Sequence, residues 1–146
     1  MLDMAKINQT QSGRGYLFRV SVSDMCNYDC LFCRPQNHEP VDILTNEEFL
    51  NIFNIVNDLY HLKTLHFTGG EPLLRKDLTG LIDGCRKIAG NDLDIALTTN
   101  GSLLAQRSKE LVSAKLSRVN VSIHSLNPAK YQKFTGTQVD IDDLST

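Results

Sequence analysis

The sequence predicts an α/β fold in which strand and helix alternate four times around a parallel sheet. Two patterns predict it. Short β-rich runs, several of them alternating apolar and polar residues, are each followed by a longer run whose apolar residues recur at helical spacing. The connections are short, and returning strands of that kind lie parallel, joined by right-handed crossovers, in an α/β layer or barrel. In such a fold every loop that follows a strand falls on the same edge of the sheet, where sites are built.

Composition sets the outer limits. A chain of 146 residues with 41% hydrophobic and 22% charged residues fits one ordinary globular domain. A formal net charge of −2 leaves no footprint for nucleic acid or an anionic membrane surface. No apolar run approaches the roughly 20 residues that a membrane span needs. The polar stretch from Met1 to Gly15 lacks the apolar centre of a secretory signal. A cytoplasmic, reducing setting is therefore expected, where clustered cysteines bind metal or do redox chemistry more often than they pair.

Residues 1–15, broken by Gly13-Arg14-Gly15, read as a loosely held leader, and 16–146 as the core. Tyr16 to Ser23 is the first strand. A cysteine-bearing loop follows, prolonged by Pro35 and Pro40. Thr45-Asn46-Glu47-Glu48 is a capping box, and Phe49, Ile52, Phe53, Val56 and Tyr60 give the first helix its apolar side. Thr64 to Thr68 is the second strand and runs into Gly69-Gly70-Glu71-Pro72. Asp77 opens a helix with Leu78, Leu81, Ile82, Cys85 and Ile88 inward; Gly90-Asn91 ends it. Leu93 to Thr99 is the third strand, stopped by Asn100-Gly101, and the third helix runs from about Leu104 to Ala114 with Leu104, Leu111 and Val112 inward. Val119 to Ile123 is the fourth strand. Asn127-Pro128 starts the last helix, Tyr131 and Phe134 form its apolar side, and Gly136 ends it. Residues 138–146 read as the start of a further unit.

Three of the four cysteines, Cys26, Cys30 and Cys33, lie in the pattern C-x3-C-x2-C directly after the first strand. Three thiolates on one short loop can hold three corners of a metal cluster and leave a fourth corner open. A structural zinc site completed by His38 fits the same spacing. Cys85, at helical spacing on an apolar face, reads as core. The loops Gly69-Gly70-Glu71-Pro72, Thr98-Thr99-Asn100-Gly101 and Ser122-Ile123-His124-Ser125 reach the cysteine loop's edge of the sheet, bringing backbone that can approach a ligand closely and oriented hydrogen-bonding groups.

CNYDCLFC resembles the cysteine signature of the radical S-adenosylmethionine (SAM) superfamily, and GGEP resembles that family's SAM-contacting loop. The wider run, through LFRVSVSDMCNYDCLFCRP, FTGGEPLLRKDL, LTTNG, NVSIHSLN and FTG, is similar to the GTP-cyclising enzymes of molybdenum-cofactor synthesis. The resemblance implies a partial (β/α)6 barrel, of which four βα units are present, as in a truncated chain or one completed by a partner. It implies a [4Fe-4S] cluster on Cys26, Cys30 and Cys33, with SAM chelating the fourth iron and a one-electron donor reducing the cluster. It further implies SAM contacts from Phe32, Gly70, Glu71 and Ser122, and contacts to a small-molecule substrate such as GTP from Arg19, His66 and Thr98. Two positions depart from the pattern: His66 stands where arginine is usual, and His124 where aspartate is usual. Beside the cyclase-like reading stand a radical SAM enzyme for another nucleotide or a peptide, the zinc module, and a fragment without activity.

Overall fold

The computed structural model describes residues 15–33 and 43–138, and residues 5–9 as backbone. The sheet has five strands in chain order: β1 (Ala5–Gln9), β2 (Tyr16–Ser21), β3 (Leu62–Thr68), β4 (Asp94–Thr99) and β5 (Arg118–Val121). Strands β2 to β5 are parallel neighbours, as alternation with helices requires. The helices are α1 (Asn46–Tyr60), α2 (Leu78–Ala89), α3 (Leu104–Ser113) and α4 (Pro128–Thr135), with a short 3-10 helix at Pro72–Leu74.

The capping box at the start of α1 forms in full: the Glu48 N–H donates to the Thr45 hydroxyl, and the Thr45 N–H donates to the Glu48 carboxylate. Asn127 caps α4 through the Lys130 N–H, with Pro128 at the first helical position. Asp77 precedes α2 but makes no side-chain cap; its carboxylate pairs with Arg75 at 3.0 Å.

Period-two alternation gives the sheet two unlike faces. Phe18, Val20, Leu65, Phe67, Ile95 and Leu97 point one way and join Phe49, Phe53, Leu78, Leu81, Ile82 and Leu111 in the buried core. Cys85 is part of that core, as its spacing indicated, and burial pushes its thiol well above the ordinary range. Arg19, His66 and Thr98 occupy the intervening positions and face the other way.

Four details differ from the sequence expectations. Residues 5–9, placed in a loose leader, form a strand antiparallel to β2, with Ile7 opposite Phe18. Ala-Lys-Ile-Asn-Gln has little strand pattern of its own; the unpaired edge of β2 supplies the reason to pair. Val112 is 75% exposed, because it sits one residue round the helix from the Leu104–Leu111 stripe that meets the core. Ile52 and Phe134 are also on the exposed side of their helices, leaving Phe49, Phe53 and Tyr131 as the buried anchors. The last strand ends at Val121, where its partner β4 ends, although Ser122 N–H still donates to Thr99 O at 2.9 Å. The proline-bearing loop with His38, the Gly13-Arg14 break and residues 139–146 lie outside the described residues.

Phe67, fully buried on β3 with its ring 5.9 Å from that of Phe49, anchors the sheet to α1. Phe67→Ala is expected to cost about 3–5 kcal/mol of stability, read as a lower denaturant midpoint with an unchanged slope.

Candidate functional site

The cysteine loop leaves β2 at Val22 and is tied down by three other loops. Gly70 N–H donates to Ser23 O and Glu71 N–H to Met25 O, both at 2.7 Å. The loops touch so closely that a Cβ on Gly70 would lie 2.3 Å from the Met25 carbonyl oxygen. Gly69, with φ 139°, would bring a Cβ within 2.2 Å of Ser23 O. Glycine is required at both positions. From the other side, the C-terminal end of α4 accepts Asp29 N–H on Thr135 O and Leu31 N–H on Phe134 O, at 3.0 and 2.9 Å. These two bonds flank Cys30. The third tie is polar: Asn27 donates to the Ser102 hydroxyl, and Asn100 donates to Asn27 Oδ1, both at 2.9 Å.

Glu71 joins these loops from below. Its side chain is fully buried, and its carboxylate accepts the Leu73 N–H (2.9 Å), the Thr99 hydroxyl (2.8 Å) and the Asn100 N–H (2.7 Å). A charged group without solvent needs such answers on both oxygens. Glu71 caps the short 3-10 helix through the Leu73 N–H, and Arg75 pairs with Asp77. Arg75 also donates to Val22 O at 3.3 Å and Leu44 O at 2.8 Å, so one guanidinium holds both ends of the segment that carries the cysteines.

Cys26 and Cys30 are half-buried and Cys33 is exposed. The Cys30 thiol is pushed up to about 11, by burial first and then by the neighbouring Cys33 and Cys26. Cys26 and Cys33 thus lie within electrostatic reach of Cys30, an arrangement that a bound cationic group would favour by stabilising the thiolates. Among the described residues, no three His, Cys, Asp or Glu side chains could hold one metal ion together. Cysteines of an iron–sulfur cluster bind separate irons and need no common point.

A further group suits such a cluster. The Tyr28 and Tyr131 hydroxyls are buried and make no hydrogen bond of normal geometry among the described residues. Burial, Tyr131, Glu71 and Cys30 together hold the Tyr28 proton well above the ordinary phenol range. The Tyr28 O–H, buried within electrostatic reach of Cys30, is a donor that an acceptor-rich, sulfide-bearing group would answer.

The remaining predicted residues surround this rim. The Phe32 ring is 55% exposed and lies 4.4 Å from the His124 ring, centroid to centroid. Ser122 lies just past β5, held by its bond to Thr99. On the polar sheet face, Arg19 of β2 stands in register with His66 of β3, and His66 Nε2 is 2.7 Å from the Thr98 hydroxyl. His66 is buried and held below its ordinary value, by burial first and then by the Arg19 and Arg118 charges against an opposing Asp94. Sequence reasoning did not single out Asn27 or Tyr28 for the site, and gave Tyr131 only a place on the apolar side of α4. Asn100 was placed on a loop at the shared rim as a source of oriented hydrogen bonds, but its partners there were not named.

Glu71→Gln turns one acceptor into an NH2 group facing a donor, and is expected to cost about 1.5–3 kcal/mol by chemical denaturation. His66 gives a pH signature. The unfolded chain takes up the proton first, so the stability contributed by neutral His66 is whole above about pH 6.5 and is lost as pH falls toward the lower folded value. His66→Gln is expected to flatten the stability profile from about pH 6.5 down to about pH 5, where carboxylates begin to contribute.

Residues 20–144 match the family model of the radical SAM superfamily. The GTP 3',8-cyclase of Aquifex aeolicus (strain VF5) is 41% identical over 133 residues, covering 88% of this chain and 41% of that protein. The GTP 3',8-cyclase of Thermodesulfovibrio yellowstonii is 42% identical over 134 residues, 86% of this chain and 40% of that protein. The chain therefore spans about two fifths of the length of these relatives. The crystal structure of Streptococcus suis SuiB bound to S-adenosylmethionine superposes with a TM-score of 0.66 at 20% identity, over 88% of this chain and 28% of that one, a likeness of fold. With three cysteines on a loop at the strand ends and a match over most of its length, the chain belongs to the radical SAM superfamily.

Proposed function

We propose that this chain holds a [4Fe-4S] cluster on Cys26, Cys30 and Cys33, binds SAM at the open iron, and acts in a radical SAM reaction on a nucleoside triphosphate of the GTP kind. The observation that carries this reading is the convergence of the GGEP loop, the TTNG loop and α4 on the cysteine loop, which orders three thiols at one rim. Cys26, Cys30 and Cys33 would hold the cluster, which, once reduced by a one-electron donor, would supply the electron for reductive cleavage of SAM and so for hydrogen-atom abstraction from substrate. A reducing, cytoplasmic setting suits both the thiols and that donor.

The protein's share is orientation. Phe32 offers an exposed aromatic face to the adenine. Gly70 has committed its N–H to Ser23, so the GGEP backbone meets the SAM ammonium through carbonyl oxygen. Glu71 serves SAM by fixing that loop, since its carboxylate already accepts three bonds. Ser122 supplies a hydroxyl at the same rim. Arg19, His66 and Thr98 form a polar patch on the open sheet face for the substrate's anionic part. The identity of the relatives as GTP 3',8-cyclases supports GTP. A second reading, another nucleotide or a peptide, is favoured by His66: a buried, neutral imidazole bonded to Thr98 is a weaker phosphate contact than an arginine.

Anaerobic reconstitution with iron and sulfide is expected to give a brown protein whose broad visible band is lost in Cys30→Ser. Incubation with SAM and dithionite is then expected to release deoxyadenosine. Colourless protein holding one zinc per chain would sink the cluster, and a loaded cluster that releases no deoxyadenosine would leave a fold without the reaction. Adding GTP and assaying for a cyclised pterin precursor separates the two substrate readings.

A further inference from the structure

Resting on the cluster reading and going beyond it, we infer that Asn100 donates a hydrogen bond to the sulfur of Cys26 and thereby raises the reduction potential of the cluster. The orientation of the Asn100 amide is fixed by what surrounds it. Both the Ser102 N–H (3.0 Å) and the Ser102 hydroxyl (2.7 Å) meet Asn100 Oδ1. A backbone N–H can be answered only by an acceptor, so the oxygen faces Ser102 and the nitrogen faces the cysteine loop.

There, Asn100 Nδ2 has two protons and two acceptors. One proton goes to Asn27 Oδ1 at 2.9 Å. This bond closes a ring, because Asn27 Nδ2 donates to the Ser102 hydroxyl, which donates in turn to Asn100 Oδ1. The ring consumes one N–H of Asn100, while the two Ser102 bonds to Oδ1 hold the plane of the amide independently of Asn27. The other N–H is directed at Cys26 Sγ, with nitrogen and sulfur 3.9 Å apart, as the larger acceptor atom allows. The Asn100 backbone is held independently by its N–H bond to buried Glu71. A second donor, the Tyr28 backbone N–H, reaches the same sulfur at 3.5 Å.

Reduction adds negative charge that spreads onto the cluster and its cysteine sulfurs, and an N–H aimed at one of them stabilises the reduced state more than the oxidised one. Asn100 is thus a positioning and tuning residue, acting through Cys26.

The test is an EPR-monitored redox titration of the reconstituted full chain, with iron and sulfide content measured on each sample. Asn100→Leu is expected to lower the reduced-to-oxidised ratio at a fixed poise by about threefold to tenfold, the latter equal to about 59 mV for a one-electron couple. Asn27→Ala opens the ring but leaves the N–H toward Cys26, and is expected to titrate near wild type. Asn100→Leu at the wild-type potential, or Asn27→Ala shifted as far, overturns the proposal. Should Asn100→Leu fail to hold a cluster, pulsed EPR of the reduced chain carrying side-chain 15N-asparagine decides. A nitrogen coupling that persists in Asn27→Ala supports the bond, and its absence overturns it. A wild-type chain that takes up no iron–sulfur cluster refutes instead the reading on which this rests.

Discussion

A single buried carboxylate holds the site together. Glu71 has no access to solvent, so its charge is tolerable only where donors meet both oxygens, and the three donors come from its own turn and from the loop after β4. Its backbone N–H meanwhile reaches the loop after β2. One residue therefore binds three loops that the sequence keeps far apart. Because leaving any donor unmet costs more than a met bond gains, the loops hold one arrangement and resist neighbouring ones. The cysteine loop takes its shape from this arrangement through the Gly70 and Glu71 amides, and the polar ring of Asn27, Ser102 and Asn100 takes its position from the Asn100 amide.

Stability and chemistry are divided between the faces of the sheet. The helix side is dry and carries the aromatic and aliphatic core, while the opposite side carries Arg19, His66 and Thr98. Guanidinium groups brace the junctions. Arg75 holds the ends of the cysteine segment, and Arg107 of α3 reaches back to the carbonyls of Leu73 and Arg75 just after the GGEP turn. Each brace uses several donors of one rigid fork, a role that lysine with its single ammonium fills poorly.

Much of this was legible in the sequence. The parallel units followed from periodicity and short connections, the shared rim from the rule that post-strand loops gather on one edge, and the grouping of three thiols on one loop from cysteine spacing. What was not legible depends on tertiary pairing. The strand Ala5–Gln9 has no strong pattern because a neighbour's open edge creates it. Val112 was misplaced because apolar character alone does not report a 100° turn round a helix. The substituents of Glu71 could not be guessed, since capping and ion pairing call for the same residue type, and only burial separates them. Asn100 was legible as a hydrogen-bonding group at the rim, but its ring with Asn27 and Ser102 exists only once two loops meet.

The bonds from α4 to the amides flanking Cys30 have a consequence for biosynthesis. Asp29 and Leu31 leave the ribosome some hundred residues before Thr135 and Phe134, their acceptors. At roughly 5–20 residues per second, the thiols are in the cell for about 5–20 s before the segment that orders them has been made. A nascent chain therefore presents the three cysteines first and the backbone that orders their loop last.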